Sequence, residues 1–140
     1  MSNHERSLMN KHLVFIYGTL RRGSPGSMSV RFPLAEFVAE ARVHGKLYDL
    51  GPYPGMQLSE SETFVSGEVY EVDDETLKLL DDFEESSHYH RAQLEISLGG
   101  ENRECWTYEP DSSFYALRNL IASGDWIEYA RARTPLDEAG

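Results

Sequence analysis

The residues of this chain most apt to move a proton lie in one acidic run, Asp73-Asp74-Glu75-Thr76-Leu77-Lys78-Leu79-Leu80-Asp81-Asp82-Phe83-Glu84-Glu85. Most of these acids read as the solvated face of a helix that Asp73 or Asp74 caps and that runs from Glu75 to about Glu84. At about 100° per residue, with Leu77 at zero, Leu80 falls at about 300°, Phe83 at about 240° and Leu79 at about 200°. Asp81, Asp82 and Glu85 fall outside that apolar arc, whereas Glu84, at about 340°, falls inside it and above Leu77. A carboxylate on a buried stripe is costly unless it is paired or protonated. Desolvation raises its pKa toward neutrality, which is what a general acid/base requires. Two plainer readings stand beside this one: the helix ends before Glu84, or Glu84 pairs with an arginine such as Arg91.

A second candidate is Tyr17-Gly18-Thr19-Leu20-Arg21-Arg22-Gly23, which follows an apolar run. Glycine directly after a strand lets the backbone turn sharply and approach a ligand. Consecutive N–H groups in such a turn can hold a carboxylate or an oxyanion. An ordinary strand-ending turn is the commoner case. The glycine spacing and the missing Gly-Lys-Ser/Thr ending exclude a phosphate loop. Arg21 and Arg22 read either as steering groups for an anion or as solvated charges. Cys105, the one cysteine, lies in a strand-like segment and reads as a small buried hydrophobe rather than a nucleophile. Of five histidines, His88 and His90 alternate with no further cluster behind them, too few ligands for a stable metal site.

The elements that must carry these groups can be read from periodicity. Leu13-Val14-Phe15-Ile16-Tyr17 is a strand buried on both faces. Gly18 to Gly26 is a loop, Arg31 to Val38 a short helix, and Ala41 to Leu50 a strand running into the turn Gly51-Pro52-Tyr53-Pro54-Gly55. Gly67 to Val72 alternates as a half-buried strand. Arg91 to Leu98 and Arg103 to Tyr108 form a hairpin about Gly99-Gly100. Phe114 to Tyr129 holds one or two helical pieces, broken near Ser123-Gly124-Asp125, with Trp126 and Ile127 packing on the sheet. The resulting expectation is a single α+β domain with a mixed or antiparallel, barrel-like sheet and short helices over residues 13–130, a flexible segment over 1–12 and a loose tail over 131–140.

A net charge of −11 disfavours nucleic acid and anionic membrane surfaces as partners. The polar residues Met1 to His12 hold no signal-like apolar stretch, and no segment of the sequence approaches the ~20 apolar residues of a membrane span, so a cytoplasmic location is expected.

Taken in order, these pieces resemble the γ-glutamylcyclotransferase-like family, in its short γ-glutamylamine cyclotransferase-like (AIG2-like) branch. The resemblance rests on Tyr17-Gly18-Thr19-Leu20 with Arg22-Gly23, Gly45-Lys46-Leu47-Tyr48-Asp49-Leu50-Gly51 with Tyr53-Pro54, and Gly67-Glu68-Val69-Tyr70-Glu71-Val72. Leu80-Asp81-Asp82-Phe83-Glu84, Tyr89, Arg91 and Trp106-Thr107-Tyr108 complete it, over about Leu13 to Pro110. It implies a compact barrel-like fold and a reaction without metal or cofactor. It also implies Glu84 as the catalytic residue, the turn Tyr17, Gly18, Thr19 and Leu20 as the holder of a small γ-glutamyl substrate, and Tyr89 as a pocket wall.

The implied reaction is attack of the substrate's α-amine on its own side-chain amide, releasing 5-oxoproline and an amine or amino acid. Two departures from the family pattern bear on the leaving amine. The loop after Gly23 reads Ser24-Pro25-Gly26-Ser27-Met28 where many relatives carry an asparagine–histidine pair, and Glu85 stands where glycine is common. Three readings of function therefore compete: a cyclotransferase on γ-glutamyl amines or amino acids, the same scaffold removing a γ-glutamyl protecting group, and a non-catalytic small-molecule-binding or stress-response protein. The retained Glu84 speaks against the last.

Overall fold

A computed structural model describes residues 11–60, 62–111 and 119–139, with side chains as far as Ala132. Along the chain run β1 (Lys11–Ile16), α1 (Met28–Arg31), β2 (Glu36–Asp49), β3 (Pro54–Leu58), β4 (Phe64–Asp73) and α2 (Asp74–Glu85). Then come β5 (Tyr89–Leu98), β6 (Glu101–Pro110), β7 (Asn119–Leu120) and α3 (Trp126–Ala139). The sheet order is β3-β2-β4-β1-β6-β5, with β7 added on β2. The β1–β6 pair is parallel, through Val14 opposite Trp106, and the other pairings are antiparallel. This is an α+β domain with a curled mixed sheet. At the curl, β3 turns back toward β6, where the Leu58 N–H donates to the Glu109 carboxylate at 2.9 Å.

β1 is the hub because its apolar run serves two cores at once. Leu13, Phe15 and Tyr17 enter one cluster with Val43, Met56, Val69 and Trp126, inside the curl. Val14 and Ile16 enter the other, with Leu20, Leu77, Leu80 and Tyr108, beneath α2. Alternate side chains on a strand leave by opposite faces, so a continuous apolar run needs cover on both.

Several local expectations hold. Asp73 caps α2, accepting the Thr76 N–H at 2.8 Å, and the helix includes Glu84. Gly99 and Gly100 both have positive φ, 59° and 85°, the conformation of a tight hairpin turn. Trp126 is buried, as packing on the sheet requires.

Others fail for identifiable reasons. The helix expected over Arg31 to Val38 is only the four residues of α1, and β2 begins at Glu36. Pro33 excludes helical backbone from the residue before it, and Phe32 sits at φ −133°, ψ 70°. Leu79, placed on the apolar arc of α2, is 52% exposed, so the buried stripe is the narrower set Thr76, Leu77 and Leu80. Gly67 to Val72 does not alternate in burial: Gly67, Glu68, Val69 and Tyr70 are all buried. The helical piece expected near Phe114 lies in part outside the described residues, and Asn119–Leu120 form a strand on β2. The flexible segment expected over 1–12 lies outside them as far as residue 10. α3 runs through Ala139.

Candidate functional site

The end of β1, the turn that follows it, the start of β3 and the end of α2 surround one cavity. Its atom-free space, open mouth included, is about 570 Å³. The six residues that the resemblance assigns to the site all border it: Tyr17, Gly18, Thr19 and Leu20 from the turn, Glu84 from α2, and Tyr89 from the first position of β5.

The turn is shaped by close contact with β3. A Cβ on Gly18 would lie 3.1 Å from the Pro54 ring, so the bare backbone is what lets the two segments meet. The amides of Gly18, Thr19 and Leu20 donate to no described group. Three successive unspent donors at the rim of a cavity form a cradle for a carboxylate or an oxyanion.

Arg21, read as a possible steering group, turns inward instead. It binds Glu68 at 3.1 Å and Asp125 at 2.9 Å. Glu68 also takes the Arg22 N–H at 2.9 Å and the Tyr70 hydroxyl at 3.0 Å. Arg22 stays outside, 3.2 Å from Glu40 and stacked on Phe37. The pair therefore ties the turn to β4, to β2 and to Asp125, the residue before α3.

The two predicted tyrosines contribute walls whose hydroxyls are already engaged. Tyr17 donates to the Tyr108 carbonyl at 2.6 Å and accepts the Met56 N–H at 3.0 Å. Tyr89 donates to the Pro54 carbonyl at 2.5 Å. Tyr53, edge-on to Tyr89, extends the aromatic lining.

Glu84 differs from every other acid around it. It is half-buried, and no described residue gives its carboxylate a hydrogen bond or an ion pair. Burial alone pushes its carboxyl from 4.5 up to about 7. Neither plainer reading of Glu84 is met among the described residues. The helix does not end before it, and Arg91 lies instead 3.6 Å from Asp81 while stacking on Trp106. Glu85 is exposed and takes no part. A carboxyl that exchanges its proton near pH 7, beside unspent N–H donors, can run acid/base chemistry on an amine.

Tyr108 belongs to the resemblance through Trp106-Thr107-Tyr108, but sequence reading gave it no place in the site; it borders the same cavity from β6 and donates to Asp81 at 2.7 Å. Its neighbour in sequence, Trp106-Thr107, marked the strand, but the pairing with α2 has no local signal. Cys105 is buried and its thiol is pushed up to about 12, mainly by burial, which makes it inert as a nucleophile. Among the described residues no group of three or more His, Cys, Asp or Glu could hold a metal ion, and no helix is long and apolar enough to cross a membrane.

Comparison with known proteins gives a consistent outcome. The sequence profile of the family described as Gamma-glutamyl cyclotransferase, AIG2-like, matches residues 14–128. A Vibrio cholerae protein provisionally named a gamma-glutamylcyclotransferase is 39% identical over 119 residues, covering 84% of this chain and 97% of its own. The Gamma-L-glutamyl-butirosin B gamma-glutamyl cyclotransferase of Niallia circulans is 31% identical over 124 residues, covering 83% and 76%. Among solved structures, an AIG2-like protein from Mus musculus superimposes with a TM-score of 0.68 at 25% identity, covering 84% of this chain and 88% of that one.

Proposed function

Since the chain belongs to the γ-glutamyl cyclotransferase, AIG2-like family, we propose that it cyclises γ-glutamyl compounds to 5-oxoproline, with Glu84 as the proton carrier. The observation that carries this reading is the carboxyl of Glu84, without a partner among the described residues and raised to about 7, in a cavity rimmed by N–H groups that donate to no described residue.

The chemistry follows from what the substrate already contains. A γ-glutamyl amide holds both its nucleophile, the α-amine, and its electrophile, the side-chain carbonyl. Folding the two together makes ring closure a unimolecular step without water or an enzyme nucleophile. At neutral pH the amine is protonated and cannot attack. Glu84 takes that proton, the amine nitrogen bonds to the carbonyl carbon, and the bond to the leaving amine breaks. That proton passes from Glu84 to the departing nitrogen, and the freed carboxylate takes the second proton that the ring nitrogen sheds on becoming a lactam N–H and hands it on, so the amine is released as an ammonium. No proton or water is gained or lost overall. The N–H groups of Gly18, Thr19 and Leu20 hold the substrate carboxylate or the developing oxyanion.

The Niallia circulans relative is named for removing a γ-glutamyl group from butirosin, and the same ring closure accounts for that outcome. The loop Ser24-Pro25-Gly26, whose departure from the family pattern bears on the leaving amine, is not among the residues that border the cavity. A non-catalytic binder of a zwitterion has no use for an unpaired half-buried carboxyl, and that reading is not favoured.

The test is direct. The protein is incubated with γ-glutamyl amines, γ-glutamyl amino acids and ε-(γ-glutamyl)lysine, beside Glu84→Gln, and released 5-oxoproline is measured. Turnover that disappears in a folded Glu84→Gln supports the reading; full activity in that variant overturns the mechanism.

A further inference from the structure

Tyr108 is a second polar group in the cavity, and the cyclisation scheme above does not use it. It lies on β6, 3% exposed, and borders the cavity together with Glu84. Its hydroxyl donates to Oδ1 of Asp81 at 2.7 Å. Asp81 is held in turn by Nε of Arg91 at 3.6 Å, and that guanidinium stacks on the Trp106 ring at 4.3 Å. The backbone end is fixed as well, because Tyr17 donates to the Tyr108 carbonyl.

A carboxylate only accepts hydrogen bonds, so the phenol proton is committed to Asp81. What the phenol oxygen has left is its lone pairs. The charged groups facing it are Asp81 and Glu84 from α2 and Arg91 from β5. Burial first, then the bond and charge of Asp81 and the charge of Glu84, push the phenol well above its usual range, so it stays a neutral acceptor.

On the cyclisation reading, we propose that Tyr108 is a second residue in contact with the substrate's α-amine, as a fixed hydrogen-bond acceptor, and that Asp81 is the positioning residue that makes it one. The substrate ammonium carries three N–H bonds. After Glu84 has taken one proton, the nitrogen must direct its lone pair at the amide carbonyl, so its two remaining N–H bonds must be held away from that line. An acceptor of fixed direction does this. A phenol free to rotate would instead donate to the amine lone pair, the orbital that has to attack. Fixing the phenol proton on Asp81 removes that competition.

The test is steady-state release of 5-oxoproline, from whichever γ-glutamyl substrate the wild type turns over. Tyr108→Phe, Asp81→Asn and the double variant are compared, with thermal melts on each. Tyr108→Phe is expected to lower kcat on the order of 10-fold, the worth of one hydrogen bond in the attacking geometry, with a smaller change in KM. Asp81→Asn lowers kcat in the same sense. Because Asp81 acts through Tyr108, the double variant loses no more than Tyr108→Phe alone. Wild-type kcat in Tyr108→Phe, or losses that multiply in the double variant, overturn the proposal. If Tyr108→Phe does not fold, Asp81→Asn decides: a lowered kcat at nearly constant KM supports the proposal, and an unchanged kcat overturns it. Absence of 5-oxoproline from the wild type withdraws the cyclisation reading and this proposal together, whereas an unaffected Tyr108→Phe withdraws only the role of Tyr108.

Discussion

Glu68 on β4 and Glu84 near the end of α2 are both withdrawn from water, and the fold treats them in opposite ways. Glu68, 2% exposed, is met by the Arg21 guanidinium, the Arg22 N–H and the Tyr70 hydroxyl. Tyr70 bears the consequence: burial, and then Glu68, push its phenol well above the usual range. Glu84 receives no donor from any described residue, and its carboxyl moves to about 7. Both are carboxylates taken out of water, so burial alone does not tell a structural acid from a reactive one. The presence or absence of donors does. A carboxylate met by donors is held in place and anchors a loop. One left without them costs folding energy and keeps a proton that can be exchanged at neutral pH.

The comparison breaks most visibly at the reactive acid. Glu84→Gln is expected to lower turnover by about 100- to 10,000-fold, the usual worth of a general base, measured as 5-oxoproline release. At Glu68 the loss falls on stability instead. Glu68→Ala leaves the Arg21 guanidinium, the Tyr70 hydroxyl and the Arg22 N–H without their shared partner, and about 3–5 kcal/mol is expected to be lost in urea unfolding. A loss below about 1 kcal/mol, the worth of an exposed pair, would mean that this network is not the anchor of the turn.

A pH series sharpens the contrast. The folded chain holds the Glu84 proton up to about 7, whereas an ordinary glutamate releases it near 4.5. The native state therefore binds the extra proton between those values, and stability falls as pH rises through that window. The fall amounts to at most on the order of 3 kcal/mol, at 1.36 kcal/mol per pKa unit. Below the window the penalty is absent; above it the penalty is complete. Glu84→Gln should remove this slope and be the more stable protein at pH 8, while kcat/KM of the wild type rises with pH through about 7. A wild type and a variant with parallel stability curves would show that Glu84 is not desolvated.

The smallest effect concerns the turn behind Glu84. His88 sits at φ 66°, the left-handed region, where a side chain is strained. His88→Gly is expected to raise stability by about 0.5–1 kcal/mol in thermal or urea unfolding. An unchanged or lower stability would mean that contacts of the imidazole outweigh the strain.

Much of the scaffold was legible because its signals are local. The unbroken run Leu13 to Tyr17 demanded cover on two faces, and it borders both cores. Asp73 announced the start of α2, and Gly99-Gly100 the hairpin. The error at Arg31 to Val38 came from weighing apolar spacing above Pro33, whose ring forbids helical backbone at Phe32. The error at Leu79 came from drawing the apolar arc too wide. Removing Leu79 leaves Glu84 nearer the centre of the buried stripe, so the reason for choosing it grows stronger.

By itself the sequence determined which residues share an element and which acid lies on the wrong face of its helix, because period and capping act within a few positions of the chain. Only the tertiary structure decided what each of those residues meets. It turned Arg21 inward onto Glu68, folded β3 back so that Pro54 presses on Gly18, and carried Tyr108 to Asp81 beside Glu84. These meetings depend on strand register and on the curl of the sheet, which bring together segments distant along the chain. An unpaired carboxylate is defined by its surroundings, so the tertiary structure alone could decide that Glu84 has no partner among the described residues.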